Sequence, residues 1–427
     1  MMLKNLLKGK EVRNAGWLIF GKVGQMLISL LVSIFTARYL GPSNYGLISY
    51  GNAFVAFFTA LCTLGLNSVI IKDFVDHPDE QGEAIGSALV MRFASSILSS
   101  LMMISLAFLL DKNEPLTIAV VSLCALGPVF HIFETFNFWF QNQYKSKVTS
   151  IAALSAYFVT AAYKVILLIA QKNVKWFAFA TSVDYIVVAV FLFIAYKRFG
   201  GPTLKFSLKK SKSLLKCSYN YILSSMMVVI YGQTDKLMLK QMIDENEVGF
   251  YATAVAICAM WTFVLQAIID SLYPSILRLK HENQEAYEKK NRQLYAIVFY
   301  VSCFVSLGFL VFGKLVVWIL YGEAYLPAVP ILRLITWYTA FSFLGVARNA
   351  WIVSEGKQKY LKYIYASAAV INVILNVFLI PLLGGIGAAL ASLITELLAG
   401  IILPLLIKSL RPNAKLMLQA IFLRKVR

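Results

Sequence analysis

Charge is scarce in this sequence: only 14% of its 427 residues are charged, against about a quarter in an ordinary soluble domain. Acids are scarcer still, 21 against 40 basic residues. Cysteine appears five times, at Cys62, Cys124, Cys217, Cys258 and Cys303, never as a C-x-x-C pair. These read as small apolar packing residues, which excludes a disulfide framework or a cysteine metal site. There are three histidines, no H-E-x-x-H and no glycine-rich phosphate loop. His131 and Glu134 could face each other at i, i+3, but without further ligands they read as a local hydrogen bond.

The missing charge is replaced by Leu, Ile, Val, Phe and Ala in runs of 18 or more, and mean hydropathy is +0.71. Runs of that length cross a bilayer as helices. They lack the every-second-residue alternation of a transmembrane barrel. The fold class is an all-α polytopic membrane protein. Spans are expected at roughly 14–39, 45–71, 85–110, 116–139, 148–170, 176–196, 217–240, 248–275, 293–313, 329–354, 361–381 and 385–407.

A net charge of +19 would suggest nucleic acid in a soluble protein. Here the positives sort by side. Alternate connections counted from the N-terminus carry 28 Lys and Arg; the opposite set carries 7. Basic flanks are retained in the cytoplasm, so both termini are expected there, with no nucleic-acid partner. The first apolar run is too long for a signal peptide and reads as an uncleaved anchor.

The basic stretch Tyr196 to Lys216 carries seven cations and a Gly-Gly-Pro that forbids a continuous helix. It divides the chain into an N-terminal lobe (1–196, helices 1–6), a cytoplasmic linker (197–216) and a C-terminal lobe (217–427, helices 7–12 with a basic tail). Gly46 and Gly249 stand in similar loops 203 residues apart, the same interval that separates the first spans of the two halves. An even number of helices per half gives parallel repeats about an axis along the membrane normal, with a binding site between them. The acid-rich loop around Asp73, Asp76, Asp79, Glu80 and Glu83 reads as a solvated cytoplasmic face.

Five basic residues fall inside spans: Lys22, Arg92, Lys164, Arg333 and Arg348. Charge in a membrane usually faces a wet cavity or a partner. Arg92, Arg333 and Arg348 lie near helix ends, where snorkelling explains them equally well. Lys22 is deeper and heads a polar stripe of Gln25, Ser29, Ser33 and Thr36. Asn52, Thr59, Thr63 and Asn67 repeat the theme, as do Asn220, Ser224, Tyr231 and Asp235, and then Thr262, Gln266 and Asp270. Interhelical bonding accounts for any one stripe; four argue for a shared wet interior. Asp235, Asn372, Asn376 and Thr395 fall at similar depth on three helices. Such oxygen ligands suit a small hard cation such as Na⁺, although ordinary interhelical bonding, or a proton on Asp235 or Glu396, fits the same residues.

The run Ala37-Arg38-Tyr39-Leu40-Gly41-Pro42-Ser43-Asn44-Tyr45-Gly46-Leu47 resembles the opening signature of Wzx-type polysaccharide flippases. Asp235 to Leu239 with Val248 to Tyr251 resembles their seventh-helix pattern, and Gly384 to Ser392 is similar to the opening of their twelfth. The likeness covers the whole chain through short motifs shared with multidrug antiporters and lipid II flippases. It implies a MATE-like, two-lobed transporter in the bacterial inner membrane that moves undecaprenyl-diphosphate-linked oligosaccharide by alternating access. The glycan would serve O-antigen, capsule or exopolysaccharide synthesis. A polysaccharide polymerase and a chain-length regulator are the implied protein partners. Lys22 would neutralise the diphosphate, with Arg38, Lys164, Arg333 or Arg348 helping, and Gln25, Ser29, Asn52, Asn220 and Asp270 would line the cavity. The sodium site of lipid II flippases, on the corresponding helices, adds weight to the Asp235 set. A cation-coupled drug exporter is the alternative. A glycan polymerase or ligase is disfavoured because no outer loop exceeds about 15 residues.

The charge count makes a topological prediction. Reporters fused after Lys210 and at the C-terminus should report cytoplasm, and fusions near Asn113 and Asn173 the opposite side. An outer signal at Lys210 would overturn the two-halves arrangement.

Overall fold

A computed structural model describes residues 10–424; within its helices the side chains of residues 10–23, 26, 27, 68, 220, 223 and 224 fall outside that description. The described residues are helical throughout, with no strand. The helices are α1 (Lys10–Cys62), α2 (Leu66–Asp76), α3 (Gln81–Leu110), α4 (Pro115–Cys124), α5 (Thr135–Asn142), α6 (Ser146–Ile169) and α7 (Val174–Arg198). They continue as α8 (Leu208–Met242), α9 (Glu245–Glu282), α10 (Gln284–Tyr321), α11 (Ala328–Ser354), α12 (Leu361–Leu383), α13 (Gly385–Leu397) and α14 (Arg411–Ile421).

Ten stretches among the described residues are long and apolar enough to cross a membrane, where the sequence suggests twelve. The first two expected spans run together in α1, which bends at Gly41 (φ 72°, ψ 172°). That backbone is open to glycine and strained for other residues. The seventh expected span corresponds to α8, which carries Gln233, Asp235, Lys236 and Lys240 in its second half.

The chain forms two compact units: residues 1–40 with 47–229, and residues 41–46 with 230–427. The first is centred on Leu66, Ile70, Phe74, Phe136, Trp139 and Tyr196. In the second, α14 lays Leu416, Met417 and Ala420 against Tyr287, Leu294, Leu344 and Trp351. Residues 41–46 belong to the second unit through contacts only glycine permits. A Cβ on Gly46 would lie 1.8 Å from the Glu245 carbonyl oxygen, and one on Gly249 2.2 Å from that of Pro42. The two glycines singled out as repeat-related thus pack backbone to backbone, each against the other's segment. The Ser43 hydroxyl donates to Glu245 across the same contact at 3.1 Å.

Hydrocarbon offers no partner to a free carbonyl, and side chains close each break in the helices. Between α4 and α5 the chain passes through a short turn (Gly127–Phe130) and a 3₁₀ turn (His131–Glu134). There Ser182 donates to Leu123 O at 2.6 Å, Ser100 to Ala125 O at 2.7 Å, and Arg92 to His131 O at 3.2 Å. Ser95 donates to Leu61 O at the end of α1, at 3.1 Å. Beyond α13 the helix widens into a π turn (Leu398–Ile402), where Arg348 donates to Gly400 O at 3.0 Å.

The linker is docked on α3 and on the acid-rich loop, whose Asp73 and Glu80 are bonded to it. Only residues 199–207 are non-helical; 208–216 already belong to α8. Lys205 N donates to Gly82 O at 3.1 Å, and Ser207 N to Ser87 Oγ at 3.0 Å. A Cβ on Gly86 would approach Lys205 O to 2.4 Å. Lys210, 8% exposed, bonds Asp73 and Glu80 of the acidic loop, each at 2.9 Å. Burial alone would lower the Lys210 pKa, but its bonds to Glu80 and Asp73 outweigh that and hold it above the ordinary lysine range.

Lys210→Met should therefore leave Asp73 with His77 alone, leave Glu80 without its lysine partner, and release the linker. Tryptic cleavage after Lys205 in detergent should quicken about tenfold, the loss of a charge-assisted bond in a reversible opening. Unchanged cleavage would mean the linker is held by its backbone bonds alone.

Candidate functional site

Two adjoining polar cavities lie in the first unit, sharing Tyr157, Asp184 and Tyr185. One, about 200 Å³, is lined also by Ser29, Asn52, Thr160, Lys164 and Thr181. The other, about 330 Å³, adds Gln25, His131, Glu134, Asn137 and Thr149. Asn52 accepts from Thr181 at 3.1 Å and Asp184 from Thr160 at 3.4 Å. Among the described residues Lys164 makes no ion pair within 4.0 Å, though Asp184 faces the same cavity. The chemistry is amphoteric: one ammonium, two carboxylates, several amides and hydroxyls, and two tyrosine rings.

The wall of the second cavity is set by Arg92, which is 1% exposed. Its guanidinium reaches Thr135 Oγ1 and His131 Nδ1, both at 2.9 Å, and lies 3.7 Å from Glu134. His131 Nε2 stands 3.1 Å from Glu134, the local pair expected from their spacing. Arg92 thereby fixes both side chains while closing the helix break beneath them.

In the second unit Asp235 is 4% exposed and accepts three short hydrogen bonds: Asn376 at 2.6 Å, Ser392 at 2.7 Å and Tyr251 at 2.5 Å. Asn376 also donates to Asn372 Oδ1 at 3.1 Å, and Asn372 to Ser392 at 3.4 Å. Asn376 Oδ1 and Thr395 Oγ1 are buried without a hydrogen-bond partner among the described residues. Unused oxygens near a buried carboxylate are what a hard cation would need, and rotating the Asn376 amide would turn its Oδ1 to the side its nitrogen now occupies. No cluster of three or more His, Cys, Asp or Glu suited to a metal occurs among the described residues, so any ion here would rely on neutral oxygens.

Of the residues picked out from the sequence, Gln25, Ser29, Asn52 and Lys164 come together at the first-unit cavities, and Asp235, Asn372 and Asn376 in the second-unit network. The side chains of Lys22 and Asn220 lie outside the described residues. Arg38 and Arg333 are exposed, Asp270 is exposed and bonded to Gln266 at 2.8 Å, and Arg348 is buried with its guanidinium on Gly400. Sequence reasoning missed Ser392 and Tyr251 as ligands of Asp235. A signal existed for Ser392, three residues before Thr395 and so on the same helix face.

Thr395→Val keeps the side-chain shape and removes a buried oxygen with no hydrogen-bond partner among the described residues. In choline buffer, without small cations, it should be neutral or stabilising, by up to about 1 kcal/mol, whereas Asn376→Leu should cost about 2 kcal/mol. Thermal unfolding of the purified protein measures both; a strongly destabilised Thr395→Val would show that its hydroxyl has a protein partner.

The sequence pattern of a family described as polysaccharide biosynthesis protein matches residues 12–280. The "Putative O-antigen transporter" of Shigella flexneri is 23% identical over 418 residues, 92% of this chain and 96% of that protein. An inward-facing multidrug resistance MATE family transporter shares the fold at a TM-score of 0.66 and 14% identity, over 92% of this chain and 96% of the other. The lipid II flippase MurJ in an inward closed conformation does so at 0.66 and 15%, over 95% and 91%.

Proposed function

The chain belongs to the polysaccharide biosynthesis protein family, and from that premise we propose that it flips undecaprenyl-diphosphate-linked oligosaccharide across the bacterial cytoplasmic membrane by alternating access. The relative named as an O-antigen transporter supports this reading over an enzyme of glycan assembly. The observation that carries it is the polar cavity of the first unit, where Lys164 makes no ion pair within 4.0 Å among the described residues and shares the space with Asp184, amides, hydroxyls and tyrosine rings. A diphosphate needs an uncommitted cation in a low-dielectric wall. Sugars need hydrogen-bonding groups beside flat apolar faces, which Asn52, Thr160, Tyr157 and Tyr185 supply. Lys22 would meet the diphosphate deeper along the same polar stripe. Both termini and the docked linker face the cytoplasm in this reading, and a polymerase and chain-length regulator would take over the glycan on the far side.

Asp184 favours a second reading, in which a drug cation occupies the same cavity. Charge discriminates the two: removing Lys164 should harm a flippase, whereas removing Asp184 should harm a cation exporter.

Directional transport needs an ion whose affinity differs between the two states. Asp235, Asn372, Asn376 and Thr395 are the proposed coupling site, for Na⁺ or, with Asp235 or Glu396 as carrier, for H⁺. A bound Na⁺ would supply charge compensation for the Asp235 carboxylate while Asn376 and Thr395 offer neutral oxygens. Tyr251 and Ser392 would turn their hydroxyl protons away, as rotatable donors can.

Cells lacking the protein should accumulate lipid-linked oligosaccharide in the cytoplasmic leaflet. In proteoliposomes with imposed gradients, Lys22→Ala and Lys164→Ala should abolish flipping while protein remains inserted. Lys22→Arg should retain some, and Asp235→Asn should lose the response to the gradient. Normal flipping by both lysine variants would remove the anion-binding role, and indifference of wild type to sodium and proton gradients would remove coupling.

A further inference from the structure

One cavity in the second unit takes no part in the proposed transport site. It measures about 400 Å³ and opens where α9 ends, α10 begins and α11 ends, under the C-terminal helix α14. Four cations line it: Lys280, Arg292, Lys357 and Lys415. Two acids, Glu288 and Glu355, answer them. Glu355 is shared, close to Lys280 and 3.9 Å from Lys357, while Glu288 lies 3.5 Å from Arg292. Lys415 forms no ion pair among the described residues, so the cavity keeps an excess of about two positive charges.

The cavity is not slack packing beneath a loose tail, because α14 is tied down along its length. Gln419 accepts from Arg292 at 3.2 Å, Asn413 donates to the Tyr295 hydroxyl at 2.6 Å, and the Tyr300 hydroxyl donates to Ile421 O at 2.7 Å. Tyr360 bonds Ser409 just before it, at 3.0 Å. A fixed roof over a polar void of this size leaves room for a ligand, where ordinary side-chain packing would have closed it. Lys357 sits over the Trp351 ring at 4.5 Å, which holds its ammonium at the cavity mouth. The helix itself is amphipathic: Leu416, Met417 and Ala420 pack into the core of the second unit, while Arg411 and Lys415 are exposed.

We propose that this cavity binds a phosphate group, presented by the headgroup of an anionic phospholipid of the leaflet that the basic loops face. Lys415, and Lys357 sharing the single carboxylate of Glu355 with Lys280, supply the excess charge, and Arg292, held in place by Glu288 and Gln419, lines the wall. Bound lipid ties α14 to the ends of α9, α10 and α11, so the second unit is stabilised by the membrane it sits in. The phosphate could equally come from a soluble phosphate compound, and the arms of the test separate the two.

Full-length protein is reconstituted in nanodiscs of phosphatidylcholine, with or without phosphatidylglycerol, and its thermal midpoint is read. Phosphatidylglycerol should raise the wild-type midpoint by about 3 °C, the scale of a saturating ligand. The double variant Lys357→Gln/Lys415→Gln, measured against its own midpoint in phosphatidylcholine alone, should lose most of that increment, with lipid affinity down about tenfold. Lys359→Gln/Lys362→Gln removes the same charge from exposed neighbours outside the cavity and should keep the increment. If pyrophosphate added to phosphatidylcholine discs reproduces a shift that only the cavity variant loses, a soluble phosphate compound is the ligand. The proposal is overturned if wild type responds to neither, or if the two double variants respond alike.

Discussion

A main-chain carbonyl in hydrocarbon must find its partner within the protein, and much of this structure follows from that constraint. Helices meet it automatically until they break, and here they break between α1 and α2, between α4 and α5, and past α13. At each break a serine or an arginine from a neighbouring helix donates to a main-chain carbonyl. This explains two of the intramembrane cations without any ligand. Arg92 and Arg348 are nearly inaccessible, and each donates to a carbonyl in a distorted turn. The breaks also make room: the irregular segment between α4 and α5 places His131, Glu134 and Asn137 around a cavity that a straight helix would have filled.

The two polar centres differ in how far their charges are satisfied. Asp235 is met by three donors, so the carboxylate is stable where it is and its neighbours carry the unused oxygens. Lys164 makes no ion pair within 4.0 Å among the described residues, though Asp184 lines the same cavity. In a medium of low polarity a charge met by several donors costs less than one met by few.

The sequence made the helices legible because hydrocarbon length is a hard requirement, and apolar runs answer to it directly. It also placed Asp235, Asn372 and Asn376 together, since rise per residue sets depth once the spans are drawn. Tyr251 was not recoverable that way, because a tyrosine near a helix end has too many other uses. The docking of the linker was not legible for a related reason. Seven cations without an acid say nothing of it, and it is decided on the other side, by Gly82 and Gly86, whose bare backbones let the chain lie against α3. Likewise Arg348 has the same composition signal whether it meets a substrate or a carbonyl; only the π turn beyond α13 distinguishes them.

The reciprocal contact of Gly46 and Gly249 has a consequence for suppressor genetics. In most packed interfaces an enlarged residue can be rescued by trimming the side chain opposite. Here the opposing atoms are main-chain oxygens of Glu245 and Pro42, and no codon change shortens a carbonyl. Alanine at either glycine therefore has no complementary allele across the contact, and any second-site revertant has to arise where it can move a whole helix.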